Sequence, residues 1–189
     1  MTQDMIACLG AGRMGRGIAV VFAYAGYPVK LVDFKDRNEA EFRKLEAEAL
    51  ADIRGVLANL ASFGMFDPGK VDIILSRVSV VPEGGAQEAF SSAAVIFEGV
   101  PEVLDLKREA LARASKLAGP KPIIASTTST ILVDDISSAV EHPERFLNAH
   151  WLNPAYLVPL VEMSPGKQTD PAVTAKLKTM LRKAAERTS

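Results

Sequence analysis

Three glycines set at Gly10, Gly12 and Gly15 follow the apolar run Met5-Ile6-Ala7-Cys8-Leu9 and lead into Arg16-Gly17-Ile18-Ala19-Val20-Val21-Phe22. Few folds accommodate a strand that turns through such spacing straight into a helix. Gly10 lets the chain turn tightly out of the strand, Gly12 has no Cβ and lets a pyrophosphate approach the backbone, and Gly15 lets the helix pack close to the sheet. The helix amino terminus then faces the anion with unpaired N–H groups and a positive dipole end. Glycines also cluster in ordinary turns, so the surroundings decide. Gly26-Tyr27-Pro28 stops the helix, and Val29-Lys30-Leu31-Val32-Asp33 is a short β-branched run ending in an acid. An acid at this distance receives an adenosine ribose: Asp33 can accept from both hydroxyls and repels a 2′-phosphate, which favours NAD over NADP. Lys35 and Arg37 are read as solvated charges near the start of the next helix, the alternative being a 2′-phosphate site. The structural alternative for the whole stretch is a βαβ unit with a glycine-rich turn and no ligand.

The chain has 189 residues, of which 48% are hydrophobic and 24% charged, enough for one well-buried domain. A net charge of −1 offers no field for nucleic acid or an anionic membrane, which leaves a small molecule as the expected partner. The one cysteine, Cys8, lies in the first strand and reads as a small buried hydrophobe, so a reducing, cytoplasmic setting is expected. No apolar run approaches membrane-spanning length, and the first strand begins too early to leave room for a signal peptide. His142 and His150 are the only histidines and show no metal-ligand spacing, so no metal is expected.

Further along, Phe42, Leu45, Ala49, Ile53, Val56, Leu57 and Leu60 recur at helical steps between Asp36 and Phe63. A short helical or irregular segment is expected at 71–75, strands at 78–81 and 93–97, a helix over 102–118, a strand over 122–126 and a short helix near 131–140. This alternation predicts an α/β fold with a doubly wound, mostly parallel sheet, whose ligands bind beyond the carboxyl ends of the strands. After Pro143 the rhythm changes: 145–152 and 158–163 read as two strands of a hairpin at the sheet edge, and 170–187 as a closing helix.

If that hairpin centres near Tyr156, facing positions sum to about 312 and His150 lies opposite Glu162 on one face. A carboxylate accepting from one ring N–H fixes the tautomer and raises the basicity of the other nitrogen, which makes His150 a candidate general base. Its alternative reading is a hydrogen-bonded packing residue. His142, in the Glu141-His142-Pro143-Glu144 turn, is assigned to the surface. Ser126-Thr127-Thr128-Ser129-Thr130 follows a strand at the same edge, where its hydroxyls either hold a substrate oxygen or cap the next helix. Glu98-Gly99-Val100-Pro101-Glu102 ends a central strand; Glu102 and Lys107 either touch the nicotinamide ribose or belong to the first turns of the following helix.

These pieces, in this order, resemble the NAD domain of the L-3-hydroxyacyl-CoA dehydrogenase family. Its segments GxGxMGxGIA, VxExxxxK, SNTSS and HFFNPxxxxxLVE have counterparts in GAGRMGRGIA at 10–19, VPEVLDLK at 100–107, STTST at 126–130 and HWLNPAYLVPLVE at 150–162. The resemblance implies a single Rossmann domain over 1–189 that binds NAD through Gly10, Gly12, Arg13, Met14, Gly15, Asp33, Glu102 and Lys107. It implies His150 as general base, Glu162 as its partner, Ser129 as donor to the reacting oxygen and Asn153 as a substrate contact. The implied reaction is oxidation of the 3-hydroxyl of an acyl-CoA. Three departures stand out. Thr127 replaces the family's Asn, Trp151-Leu152 replace its two Phe, and its CoA-contacting Ser and Lys fall, without gaps, at Ala49 and Val56. Segments 100–102 and 153–162 also resemble the branch of λ-crystallin (gulonate dehydrogenase) and carnitine dehydrogenase, which use free 3-hydroxy acids. A third reading is a non-catalytic NAD-binding protein. The family's helical second domain has no counterpart in these residues, which predicts NAD binding with a half-open substrate site and apolar surface able to drive homo-oligomer formation.

Overall fold

The computed structural model describes residues 4–187. Its centre is a seven-stranded sheet in the order β3-β2-β1-β4-β5-β6-β7. The strands are β1 (Ile6–Leu9), β2 (Val29–Val32), β3 (Val78–Val81), β4 (Val95–Glu98), β5 (Ile123–Ser126), β6 (Phe146–Trp151) and β7 (Val161–Pro165). Six run parallel and β7 alone is antiparallel. The helices are α1 (Arg13–Tyr24), α2 (Glu39–Ser62), α3 (Val71–Leu75), α4 (Ala86–Ser91), α5 (Leu104–Ala118), α6 (Val133–Ser137) and α7 (Pro171–Glu186).

Strand alternation sorts these helices into two layers. Ile6 and Cys8 of β1, Val95 and Phe97 of β4, and Leu147, Ala149 and Trp151 of β6 pack with α1, α2, α3 and α7. Ala7 and Leu9, Ile96, Ile124 and Phe146 face the opposite way, against α4, α5 and α6. Because both faces are covered, the central strands β1, β4 and β5 read as unbroken apolar runs rather than alternating ones. On the first face Phe22, Phe97 and Trp151 form an aromatic group with ring centroids 5.5 to 6.1 Å apart.

Local chemistry explains the helix boundaries. Helix α2 starts at Glu39 rather than near Asp36 because Asn38 and Glu41 form a reciprocal capping box. It buries Ala49, Ile53, Leu57 and Leu60, while Phe42, Leu45 and Val56 pack partly covered against the same core. Helix α7 is opened by Asp170, whose carboxylate accepts from the Ala172 amide, with Pro171 in its first turn. Helix α5 begins at Leu104, not 102, because Val103 is extended, which leaves Glu102 in the preceding loop. The helix expected over 131–140 is regular only at 133–137.

The hairpin register is Leu147 with Pro165 through His150 with Glu162 to Trp151 with Val161, the pairing expected from the sum of 312. Its second strand begins at Val161 instead of 158. Pro159 has no N–H to give to a ladder, and the chain at 154–160 closes short turns, with Val158 donating to the Pro154 carbonyl and Leu160 to the Val158 carbonyl. Helix α4 was not anticipated. It is six residues long and follows Gly84-Gly85, too short for a helical period to show.

Candidate active site

Sheet order reverses between β1, which is followed by β2 and β3 on one side, and β4 on the other. The crevice outside the carboxyl ends at such a switch point is where doubly wound sheets bind ligands. Leu9, Glu98, Ser126 and Asn148 stand level across β1, β4, β5 and β6, so the loops that follow them all open at this edge.

Gly10 leaves β1 with φ +106°, a conformation that favours glycine. Gly15 is required by contact: a Cβ there would lie 2.2 Å from the Gly10 carbonyl oxygen and 3.5 Å from the Cys8 Cβ. Gly12 is the opposite case, with nothing within 4 Å of its would-be Cβ, which leaves open space at the amino end of α1. Helix α1 makes its first backbone bond from Arg16 to the Gly12 carbonyl, so the N–H groups of Arg13, Met14 and Gly15 have no intrahelical partner. Its first turn carries no acid to repel an anion. This cradle fits a pyrophosphate. Arg13 is exposed and Met14 half-buried beside it. Sequence reasoning missed Gly99. Its amide donates to the Leu9 carbonyl at 3.0 Å, which ties the turn after β4 to the end of β1 beside the glycine loop. Gly17, also missed, lies 3.4 Å (would-be Cβ) from the Ala155 Cβ and lets the hairpin loop rest on α1.

Asp33, which follows β2, is almost fully buried. Arg37 is not the free solvated charge expected: its Nε donates to Asp33 Oδ2 at 2.5 Å, an (i, i+4) pair across the loop before α2. Lys35 is exposed, as expected of a solvated charge. Both line a cavity of about 190 Å³ with Phe42, Pro82 and Glu83.

At the end of β4 lies a buried charge network. Glu98, with no exposure, accepts from Lys107 Nζ at 2.8 Å and 3.2 Å, from Ser126 Oγ at 2.6 Å and from the Val100 amide at 2.7 Å. Lys107, 1% exposed, also reaches the Val100 carbonyl at 3.3 Å and Glu102 at 3.4 Å. All these contacts are internal, so the Lys107 ammonium is enclosed by protein groups. Glu102 Oε1 accepts from the Thr128 hydroxyl, from the Ser129 and Thr130 amides at 3.0 and 3.1 Å, and from the Thr130 hydroxyl at 3.1 Å. Burial pushes the Glu102 carboxyl up, but the Thr128 and Thr130 hydrogen bonds and the Lys107 charge outweigh it and hold it down at about 2. Sequence reasoning passed over Glu98; an acid closing the apolar run Val95–Phe97 is the signal that points to it.

Ser129 is exposed on the loop so held. On β6, Asn148 Nδ2 donates to the Thr128 carbonyl at 3.1 Å, and two residues on, His150 Nδ1 lies 2.9 Å from Glu162 Oε2. His150 is 24% exposed and Glu162 60%. With Nδ1–H given to the carboxylate, Nε2 is left as the acceptor, the arrangement of an oriented base. Asn153 is exposed in the loop between the two strands. His142 is half-exposed beside Glu144 at 3.3 Å, away from this group in the turn before β6. Among the described residues no cluster of three His, Cys, Asp or Glu side chains could hold a metal ion, and no helix is long and apolar enough to cross a membrane.

The model of the 3-hydroxyacyl-CoA dehydrogenase NAD-binding domain matches residues 5–188. An L-carnitine dehydrogenase/betainyl-CoA thioesterase of Rhizobium sp. is 37% identical over 166 residues, 88% of this chain and 31% of that one. The lambda-crystallin homolog of Bos taurus is 32% identical over 183 residues, 96% of this chain and 54% of that one. Among solved structures, the 3-hydroxybutyryl-CoA dehydrogenase of Escherichia coli K12 superposes with a TM-score of 0.84 at 25% identity, over 98% of this chain and 37% of that one. The chain thus spans about half or less of the curated relatives it matches. With a glycine turn, an acid after β2 and a histidine–carboxylate pair at the carboxyl ends of the strands, and a family model covering nearly every residue, the chain belongs to the 3-hydroxyacyl-CoA dehydrogenase family, of which it forms the NAD-binding domain.

Proposed function

We propose that the domain serves an NAD-dependent dehydrogenase that interconverts a 3-hydroxyl and a 3-keto group, the hydroxyl being that of an L-3-hydroxyacyl-CoA. The observation that carries this reading is the 2.9 Å contact between His150 Nδ1 and Glu162 Oε2 at the edge where the glycine cradle opens. Gly12 and the first turn of α1 hold the pyrophosphate and Asp33 holds the adenosine ribose. The bound dinucleotide supplies the hydride acceptor. His150 Nε2 takes the hydroxyl proton as the carbon loses its hydride, and Glu162 stabilises the imidazolium that forms. Ser129 donates to the reacting oxygen, and Asn153 borders the substrate. In the reverse direction protonated His150 and Ser129 polarise the keto group. Lys107, buried against Glu98, acts on the cofactor through Glu102 rather than by contact.

A second reading, a dehydrogenase of a free 3-hydroxy acid, draws support from α2. Ala49 is fully buried and Val56 packs against the core, so the positions that correspond to the family's CoA-binding Ser and Lys carry no polar group. The carnitine dehydrogenase similarity points the same way. Under both readings the partner is a small molecule and the compartment a reducing, cytoplasmic one. The Cys8 thiol fits that setting, since burial pushes it up to about 12 and keeps it unreactive. NADH consumption with acetoacetyl-CoA and with a free 3-keto acid, on the parent protein and His150→Ala, tests both. CoA-dependent turnover lost in the variant supports the first reading, and turnover confined to the free acid supports the second. NADH binding with neither turnover leaves a non-catalytic NAD-binding role.

A further inference from the structure

Arg16, at the end of the first turn of α1, takes two consecutive carbonyls of the glycine turn. Its amide donates to the Gly12 carbonyl at 2.9 Å and its side-chain Nε to the Ala11 carbonyl at 2.8 Å. We infer that Arg16 is a positioning residue for the cofactor, locking the peptide planes on either side of Gly12 so that their N–H groups face the pyrophosphate. The inference rests on the assignment of that turn to the pyrophosphate. Both peptides are trans, so each N–H points opposite to its carbonyl. Carbonyls drawn toward Arg16 therefore turn the Gly12 and Arg13 amides away from it, and both carbonyl oxygens are occupied by donors instead of facing an anion.

The turn needs such a lock. Gly12 restricts its own φ very little, so the Ala11–Gly12 plane is free to rotate through a range that a bulkier residue forbids. The residue that opens the approach, with nothing within 4 Å of a would-be Cβ, thus gives up the order that the site requires. Arg16 restores that order from four residues away. Its side chain is half-buried and is fixed at its far end, where Nη1 donates to Asp52 Oδ2 on α2. Asp52 is exposed, so that ion pair contributes little by itself, whereas Ala11 is 6% exposed and its carbonyl loses its partner when the guanidinium goes. Preorganisation of this kind raises affinity without adding a contact to the ligand.

Nitrogen relaxation and NADH titration of the parent, Arg16→Met, Arg16→Lys and Asp52→Asn test the lock, with thermal melts to confirm that each variant is folded. In the ligand-free parent the amide order parameters of Gly12 and Arg13 should lie near the rigid value of about 0.85, and Arg16→Met should bring them toward about 0.6. A released turn that holds the binding geometry about a tenth of the time weakens NADH and ADP-ribose about tenfold each. Adenosine, which has no pyrophosphate, should bind the parent and Arg16→Met alike. Arg16→Lys keeps a donor and should recover part of both effects, and Asp52→Asn should change the NADH Kd less than about threefold. Unchanged order parameters in Arg16→Met overturn the inference; a tenfold weaker NADH Kd alongside them would make Arg16 an electrostatic attractor of the anion instead. Equal losses of affinity in Asp52→Asn and Arg16→Met also overturn it, because the docking of α1 on α2 would then be the cause. Parent-like NADH affinity in Gly12→Ala would sink the assignment of the turn to the pyrophosphate, and with it the role for the cofactor, while the order parameters still report whether Arg16 fixes the turn.

Discussion

Two substitutions at the start of α1 should separate fold from ligand binding. In Gly15→Ala the new Cβ starts 2.2 Å from the Gly10 carbonyl oxygen, about 0.8 Å inside the 3.0 Å limit of real Cβ contacts. Both partners are backbone, so no side chain can swing aside, and α1 must move off β1. Overpacking of this kind costs about 1–3 kcal/mol, and a backbone collision sits at the upper end. Alanine recovers up to about 1 kcal/mol of helix propensity. The net loss is about 1–2 kcal/mol, or a Tm lower by about 2–8 °C for a domain of this size. In Gly12→Ala the Cβ enters open space and the extended backbone at φ −82° accepts it. The cost is about 0.5 kcal/mol for a poorer helix cap, so the Tm should hold within about 2 °C. Its methyl, however, occupies the approach of the pyrophosphate, and NADH affinity should fall about tenfold or more, roughly 1.4 kcal/mol. Calorimetry and NADH fluorescence titration read the two effects. Parent-like NADH affinity in Gly12→Ala, or a parent-like melt in Gly15→Ala, would refute the division of labour between these glycines.

The buried pair and the low-lying carboxyl give two more expectations. Lys107→Met leaves Glu98 charged with no exposure, which should cost about 3–5 kcal/mol and lower the Tm by about 6–20 °C. Adding Glu98→Gln should restore part of it, and an unchanged melt in the single variant would rule out the pair as drawn. For Glu102 the folded carboxyl is held down at about 2 against 4.5 unperturbed, so its contribution is full above 4.5 and lost as pH falls through 2. Because the side chain is 37% exposed, screening reduces that contribution to about 1 kcal/mol. Urea denaturation at pH 5 and pH 3 should show the drop in the parent and a flatter profile in Glu102→Gln; equal slopes in both would remove the assignment.

How legible the site was depended on the range of the interactions involved. The glycine loop could be read because its strand, its three glycines and its helix follow one another without a break, and the His150–Glu162 pairing because a hairpin's register follows from one centre. The network of Glu98, Lys107 and Ser126 joins a strand end, a helix and a second strand end, and only the parallel crossovers bring these together. Read along the chain, Glu98 was merely the acid that closed an apolar run. Arg37 was misread for a subtler reason. Its distance of four residues from Asp33 spans a loop, where the helical rule for such pairs does not apply, so nothing local announced the contact. Helix α4 was hidden by its length.

The antiparallel return of β7 has a consequence for how this family can diversify. His150 and Glu162 are brought together by ladder bonds between β6 and β7, not by the nine residues from Leu152 to Leu160 that connect the strands. Residues added to or removed from that connection leave His150 opposite Glu162, and the entropic charge for a loop twice as long is only about 0.6 kcal/mol. On the proposed function, the segment that would border the substrate is thus free to be rewritten while the His150–Glu162 pair stays fixed. Shared chemistry and divergent substrates are compatible with one scaffold because they are stored in separate stretches of the same hairpin.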